Sequence, residues 1–171
     1  MSTRDLRRLG AVVLGSTLIA ATLSGCSKEA DGAVAIGRDA QGEVIVQIVT
    51  CEYPATELDL LLEQEGAEPQ EDVSAAPLDQ PAGTSQTYTL PQLFGESRSD
   101  LLDSAAPYQL RGTVADDGGE RDMNGVSFTL DQVAGYQPDQ VISNDLDSPV
   151  SVEAFTSQAC EDGAPASEKP R

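Results

Sequence analysis

Three cysteines, Cys26, Cys51 and Cys160, are the residues whose chemistry is easiest to anticipate in this chain. A cysteine thiol can form a thioether, pair with a second thiol in a disulfide, or bind a soft metal. The chain has no histidine, which is the commonest general base near neutral pH and the commonest protein ligand of transition metals. No two cysteines are spaced as C-x-x-C, so a redox-active or metal-binding pair is disfavoured and structural roles are favoured.

The segment before Cys26 has the pattern of an export signal. Basic residues, Arg7 and Arg8 among them, precede an apolar run over residues 11–23. At about 1.5 Å per residue such a helix is about 20 Å long, which is shorter than the ~30 Å hydrocarbon core of a bilayer. The pattern therefore predicts a signal peptide over residues 1–25. The residues around the arginine pair fit a twin-arginine signal poorly, which favours Sec export and leaves the route open.

The sequence Leu23-Ser24-Gly25-Cys26 follows the apolar run directly. It resembles the lipobox of bacterial lipoproteins, in which the cysteine becomes the first residue of the mature protein. The resemblance implies a diacylglyceryl thioether on Cys26, with membrane lipid as a partner and the mature chain on the extracytoplasmic side of the cell membrane. Two acyl chains, at about 0.8 kcal/mol per buried methylene, hold a protein far more firmly than one. The alternative is a free cysteine near an ordinary cleavage site.

The leader and composition also resemble those of actinobacterial lipoproteins of unassigned function. With Cys26 committed to lipid, Cys51 and Cys160 remain in a compartment that permits disulfides, and we predict that they pair. Closing a loop of about 110 residues would contribute about 4–5 kcal/mol in the chain-entropy account.

The net charge excludes some partners. The first 25 residues contain three of the 10 basic and one of the 29 acidic residues, so the remaining 146 residues carry a formal charge of −21. Their basic residues are scattered singly: Lys28, Arg38, Arg98, Arg111, Arg121, Lys169 and Arg171. A nucleic-acid backbone needs clustered Lys and Arg, so no nucleic acid is expected as a partner. An acidic surface instead favours basic partners or cations.

Alternating and β-branched segments predict a mainly β fold. The predicted strands are residues 33–36, 43–50, 57–63, 84–90, 108–114, 126–130 and 140–143. Ser151 is expected to cap a short C-terminal helix that ends near Cys160. These elements favour a single antiparallel β-sandwich, loosely immunoglobulin-like, with a small barrel as the alternative.

The predicted boundaries follow from composition. Residues 26–31 form a lipidated tether, 32–160 the sandwich domain, and 161–171 a disordered polar tail. Residues 64–83, rich in Glu, Gln, Ala and Pro, are predicted to be a mobile acidic loop.

Two acidic clusters, Asp116–Asn124 and Asn144 with Asp145 and Asp147, offer the oxygen ligands that Ca²⁺ prefers. Their spacing does not match an EF-hand, so solvated loops are the favoured interpretation and no metal site is assigned. The chain has no histidine to activate a serine, and its only lysines after the leader, Lys28 and Lys169, lie in the tether and tail.

We therefore expect no catalytic residue, no cofactor and no enzymatic activity. The sequence predicts a membrane-anchored lipoprotein that acts as a protein-interaction or envelope-structural module, with an envelope protein of unknown identity as partner. The alternative is a lipoprotein that binds a small solute or a cation such as Ca²⁺.

Overall fold

The computed structural model describes residues 31–63 and 71–160, without the side chains of residues 71 and 72. The described residues form two antiparallel sheets. Sheet A has the strand order β10 (Val150–Ser151), β9 (Gln140–Ile142), β1 (Gly32–Arg38), β2 (Val44–Thr50) and β5 (Ser85–Thr89). Sheet B has the order β4 (Glu71–Gln80), β3 (Ala55–Leu62), β6 (Tyr108–Asp116) and β7 (Gly119–Asp122), and β8 (Val126–Phe128) also pairs with β6. Four short helices connect or follow these strands: α1 (Leu90–Phe94), α2 (Glu96–Ser99), α3 (Leu130–Ala134) and α4 (Val152–Gln158).

Strand β2 is covered on both faces, as its nearly continuous β-branched sequence predicts. Val46 and Ile48 are fully buried in the core between the sheets. Ile45 and Val49 belong to a second apolar cluster on the outer face of sheet A. A strand in this position buries both of its faces, which explains the absence of alternation; its one buried amide, Gln47, is hydrogen-bonded to Ser85 and Thr87.

The main core lies between the two sheets. Leu58 and Leu60 of β3 and Leu110 of β6 meet Val34 and Ile36 of β1, all of them buried. The rings of Tyr108 and Phe128 pack at 5.9 Å between centroids. The mainly β class, the antiparallel sandwich and the short C-terminal helix are therefore confirmed.

Part of the predicted acidic loop 64–83 is a strand, and that prediction is wrong for residues 71–80. This segment forms β4, which pairs with β3 and places Pro77 opposite Glu57. A proline lacks the N–H that a central strand needs, but β4 is the edge strand of sheet B and tolerates it. Its last residue, Gln80, is buried and donates to the Ile48 carbonyl at 3.1 Å, which ties this edge to sheet A. Residues 64–70 lie outside the described part of the chain.

The acidic cluster Asp116–Asn124, interpreted above as a solvated loop, contains a strand. Residues Gly119–Asp122 form β7, so a two-residue turn, Asp117–Gly118, joins it to β6. The Asp116 carboxylate accepts a hydrogen bond from the Gly118 N–H at 2.7 Å, and Gly119 has a φ of 140° that favours glycine. Polar, charged residues are acceptable in β7 because the strand lies at the edge of the sheet.

The segment after β7 joins the two sheets. The Val34 N–H donates to the Asn124 carbonyl at 2.7 Å, and the Asn124 N–H donates to the Gly32 carbonyl at 3.1 Å. Gly125 is required here, since a Cβ would lie 2.4 Å from the Leu110 carbonyl oxygen. The first strand of the domain is therefore held by both sheets.

Candidate functional site

A disulfide joins Cys51 to Cys160, as the sequence predicts. Cys51 follows the last residue of β2, and Cys160 follows α4 by two residues. Their Cα atoms are 5.6 Å apart although 109 positions separate them in the sequence. The bond links the front of the domain to its end.

Helix α4 covers the outer face of sheet A beside this disulfide. The Ser151 hydroxyl caps the helix by accepting from the Ala154 N–H at 3.1 Å, as predicted. Phe155 projects from the helix and is 3% exposed. It packs on an apolar cluster whose other buried members are Ala33, Ala35, Ile45, Val49 and Val141. The helix and the disulfide therefore close the same face of the sandwich.

Asp31, assigned to the tether by composition, is fixed in the fold. Its carboxylate accepts hydrogen bonds from the Glu52 N–H at 2.9 Å and the Tyr53 N–H at 2.7 Å. The residue is 8% exposed. A buried carboxylate that receives two backbone donors is well compensated, so Asp31 fastens the start of β1 to the loop after β2. In the sequence this role is indicated only weakly, by an aspartate that stands directly before a strand.

Several of these features lie at one end of the sandwich, which we call the anchor end and define by Asp31, Gly32, Cys51 and Cys160. Gly32 pairs with Thr50, the residue before Cys51, so the strands place all four close together. Cys26, the predicted signal peptide 1–25 and the tail 161–171 lie outside the described residues. None of the helices within 31–63 and 71–160 combines the length and apolar character that crossing a bilayer requires.

The first acidic cluster is engaged in structural contacts near this end. Arg121 of β7 forms an ion pair with Asp116, and its guanidinium carbon lies 5.3 Å from the centre of the Tyr53 ring. Met123, which follows β7, is buried in the core. Asp116 and Arg121 of this cluster are therefore used in structural contacts, whereas Asp117, Glu120 and Asp122 are exposed.

The second acidic cluster contains one side chain with a clear structural role. The Asn144 amide oxygen accepts from the Ser127 N–H at 2.9 Å and fixes the segment after β9 to β8. Asp145 and Asp147 are exposed. In the part of the chain that the structure describes, no three His, Cys, Asp or Glu side chains are grouped so that they could hold a metal ion.

The described residues are strongly acidic, with 22 Asp and Glu against four Arg, a formal charge of −18. Two of the arginines are bound to backbone carbonyls: Arg38 donates to Gly42 at 2.9 Å and Arg98 donates to Val73. Burial raises the pKa of the Tyr88 and Tyr136 phenols above their usual range, so both stay neutral near pH 7. The electrostatic potential around the described residues is therefore dominated by the negative charge of their carboxylates.

Comparisons with family models, with curated proteins and with solved structures found no match to this chain.

Proposed function

We propose that the protein is a lipid-anchored extracytoplasmic lipoprotein whose folded domain acts as a non-catalytic protein-interaction or envelope-structural module. The proposal rests on the position of Asp31, which is fixed in the domain only five residues after the lipobox cysteine, Cys26. Five residues extend at most about 17 Å. An anchor on Cys26 would therefore hold the domain against the membrane surface.

The disulfide supports the extracytoplasmic location. Disulfides persist in oxidising compartments and are uncommon in the reducing cytoplasm. The Cys51–Cys160 bond closes a loop of more than a hundred residues in a small domain. A chain that depends on such a bond is suited to the outside of the cytoplasmic membrane.

The anchor end supports an interaction role over a catalytic one. Its polar side chains are used to hold the chain: Asp31 receives two backbone N–H groups, and Arg121 contacts both Asp116 and Tyr53. A formal charge of −18 on the described residues would steer basic partners toward the domain.

Metabolic labelling with a palmitate analogue tests the anchoring. We expect the full chain to incorporate the label and to sediment with membranes, and we expect Cys26→Ala to lose both properties. The Cys51→Ala/Cys160→Ala double variant is the matched control, because it removes two thiols and should keep the label. Label retained by Cys26→Ala, or absent from the wild-type chain, would contradict the proposal.

A further inference from the structure

The open edges of the two sheets differ in how they are protected against pairing with another strand. Natural proteins protect a sheet edge with charges, proline, bulges or very short strands. Strand β4 carries Pro77 and two register shifts, β7 is four residues long with three of them charged, and β10 has two residues. Strand β5, Ser-Gln-Thr-Tyr-Thr, has five residues with no charge, no proline and no bulge. Of these described edge strands, β5 is thus the one that is longer than four residues and has none of these protective features.

The register of β5 on β2 determines which of its backbone groups are open. The Thr50 N–H donates to the directly opposed Thr84 carbonyl at 2.9 Å, and the Thr84 N–H donates to the Thr50 hydroxyl at 3.1 Å, so the backbone groups of Thr84 face β2. Hydrogen-bonded and non-bonded pairs alternate, which turns the backbone groups of Ser85, Thr87 and Thr89 away from β2. The Thr89 N–H is bonded to the Gln92 side chain at 2.8 Å. Ser85 and Thr87 have no backbone partner on this side among the described residues, so both N–H groups and both carbonyls are available to a further strand.

The side chains of β5 hold the strand in place. Tyr88 packs against the main core, on the inner face of the strand. On the outer face, Gln47 of β2 bonds to the hydroxyls of Ser85 and Thr87, and the Ser85 hydroxyl lies 3.4 Å from that of Thr156 on α4. A strand fixed on both faces is already in the conformation that strand addition requires, and this lowers the entropic cost of binding.

Charge decides which kind of strand can dock. Glu153 lies one helical turn before Thr156 on α4, and Asp79 is an exposed carboxylate near the end of β4. A second copy of this chain, with 29 acidic and 10 basic residues, would add its own net negative charge to the contact. A segment with Lys or Arg at alternate positions would complement the net negative charge of the described residues and avoid that repulsion.

We propose that the β5 edge binds, by antiparallel or parallel strand addition, an extended and basic segment of another envelope protein. Main-chain hydrogen bonds to Ser85 and Thr87 would supply the docking contacts, and the acidic surroundings would select the sequence. The inference deepens the proposed interaction function and rests on it. It names the edge and the chemistry of the partner.

Hydrogen–deuterium exchange tests the docking on the full chain in detergent. The probe is a capped octapeptide of alternating Lys and Val, and the matched control peptide has Glu in place of Lys. We expect amide exchange in the fragment that contains Ser85–Thr89 to slow about tenfold with the Lys peptide and to stay unchanged with the Glu peptide. No slowing with the Lys peptide, or equal slowing with both, would overturn the proposal.

Substitutions at Thr87 locate the site. Thr87→Pro removes the outward N–H without breaking the ladder to β2, and Thr87→Val keeps that N–H while losing the same hydroxyl bond to Gln47. We expect binding to be lost in Thr87→Pro and retained in Thr87→Val, with native circular dichroism in both. If Thr87→Pro does not fold, Ser85→Pro at the first strand position and its control Ser85→Ala provide the same comparison. Binding that survives the proline variants would overturn the location.

Sedimentation of the same samples tests the alternative occupant of the β5 edge, a second copy of this chain. We expect the full chain to show no self-association that depends on Thr87. A dimer that Thr87→Pro abolishes would assign the edge to a second copy and overturn the basic partner. Neither the exchange measurement nor the sedimentation depends on lipid at Cys26. Failure of the anchoring proposal and failure of the docking proposal therefore give different results.

Discussion

The outer faces of the two sheets are built in different ways. Sheet A carries an apolar cluster on its outer side that α4 covers, with Phe155 buried and the Cys51–Cys160 bond at the end of the helix. Sheet B carries Glu57 and Arg111, both exposed. The sandwich thus has a third layer on one side, and the residues that attach this layer should contribute far more stability than charges on the other side.

Removal of the disulfide should have the largest effect. We expect Cys51→Ala/Cys160→Ala to lower the free energy of unfolding by about 4 kcal/mol, because the unfolded chain regains the entropy of a long loop. Urea denaturation measures the change. Reductant should lower the stability of the wild-type chain similarly and leave the double variant unchanged. A loss below about 1 kcal/mol would mean that the third layer is held without its covalent link.

Truncation of Phe155 should come next. We expect Phe155→Ala to cost about 3 kcal/mol, since it leaves a cavity between α4 and sheet A. Phe155→Leu, which keeps most of the apolar volume, should cost about 1 kcal/mol. Both are measured by urea denaturation with the disulfide intact. Equal losses in the two variants would show that the outer face does not depend on filling this space.

Removal of the Asp31 carboxylate should have an intermediate effect. Asp31→Ala leaves two backbone N–H groups without their charged acceptor, and we expect a loss of about 2 kcal/mol in thermal unfolding. Asp39, in the turn at the other end of β1, also accepts two backbone N–H groups, at 2.9 and 2.8 Å, but in an exposed site. Asp39→Ala should therefore cost about 0.5–1 kcal/mol. A larger loss for Asp39→Ala would contradict the role of burial at the anchor end.

The smallest effect is expected on the outer face of sheet B. Arg111 lies opposite Asp59 in the β3–β6 register. Exposed cross-strand pairs contribute about 0.5 kcal/mol, so Arg111→Ala should barely change the unfolding midpoint in urea. Addition of salt should reduce the difference further. A loss above about 2 kcal/mol would remove the contrast between the two faces.

Features set by side-chain pattern were predictable from the sequence. The apolar run of β2 and the alternation in β6 follow directly from which faces are covered. The disulfide followed from the number of cysteines and the lipobox resemblance. The Ser151 cap followed from a polar residue placed just before helical spacing.

Features set by position in the sheet were not predictable in this way. Strand β4 was missed because a proline and several acids argue against a strand, and only its place at a sheet edge makes them acceptable. The open edge of β5 depends on strand order, which a single sequence does not reveal. The hydrogen bonds of the Asp31 carboxylate depend on a loop whose residues, Glu52 and Tyr53, lie 21 and 22 positions further along the chain.

The Cys51–Cys160 bond also determines how the domain would bear mechanical load. A pull applied between the two ends of the chain would pass along β1 and β2 to Cys51 and then through the sulfur atoms to Cys160. The span of 109 positions between the cysteines would carry no tension. Within the described residues, only the β1–β2 hairpin could be drawn out, at most about 70 Å for its 19 residues at full extension. The strands of sheet B all lie within the span between the cysteines, so the load would not be applied to them directly.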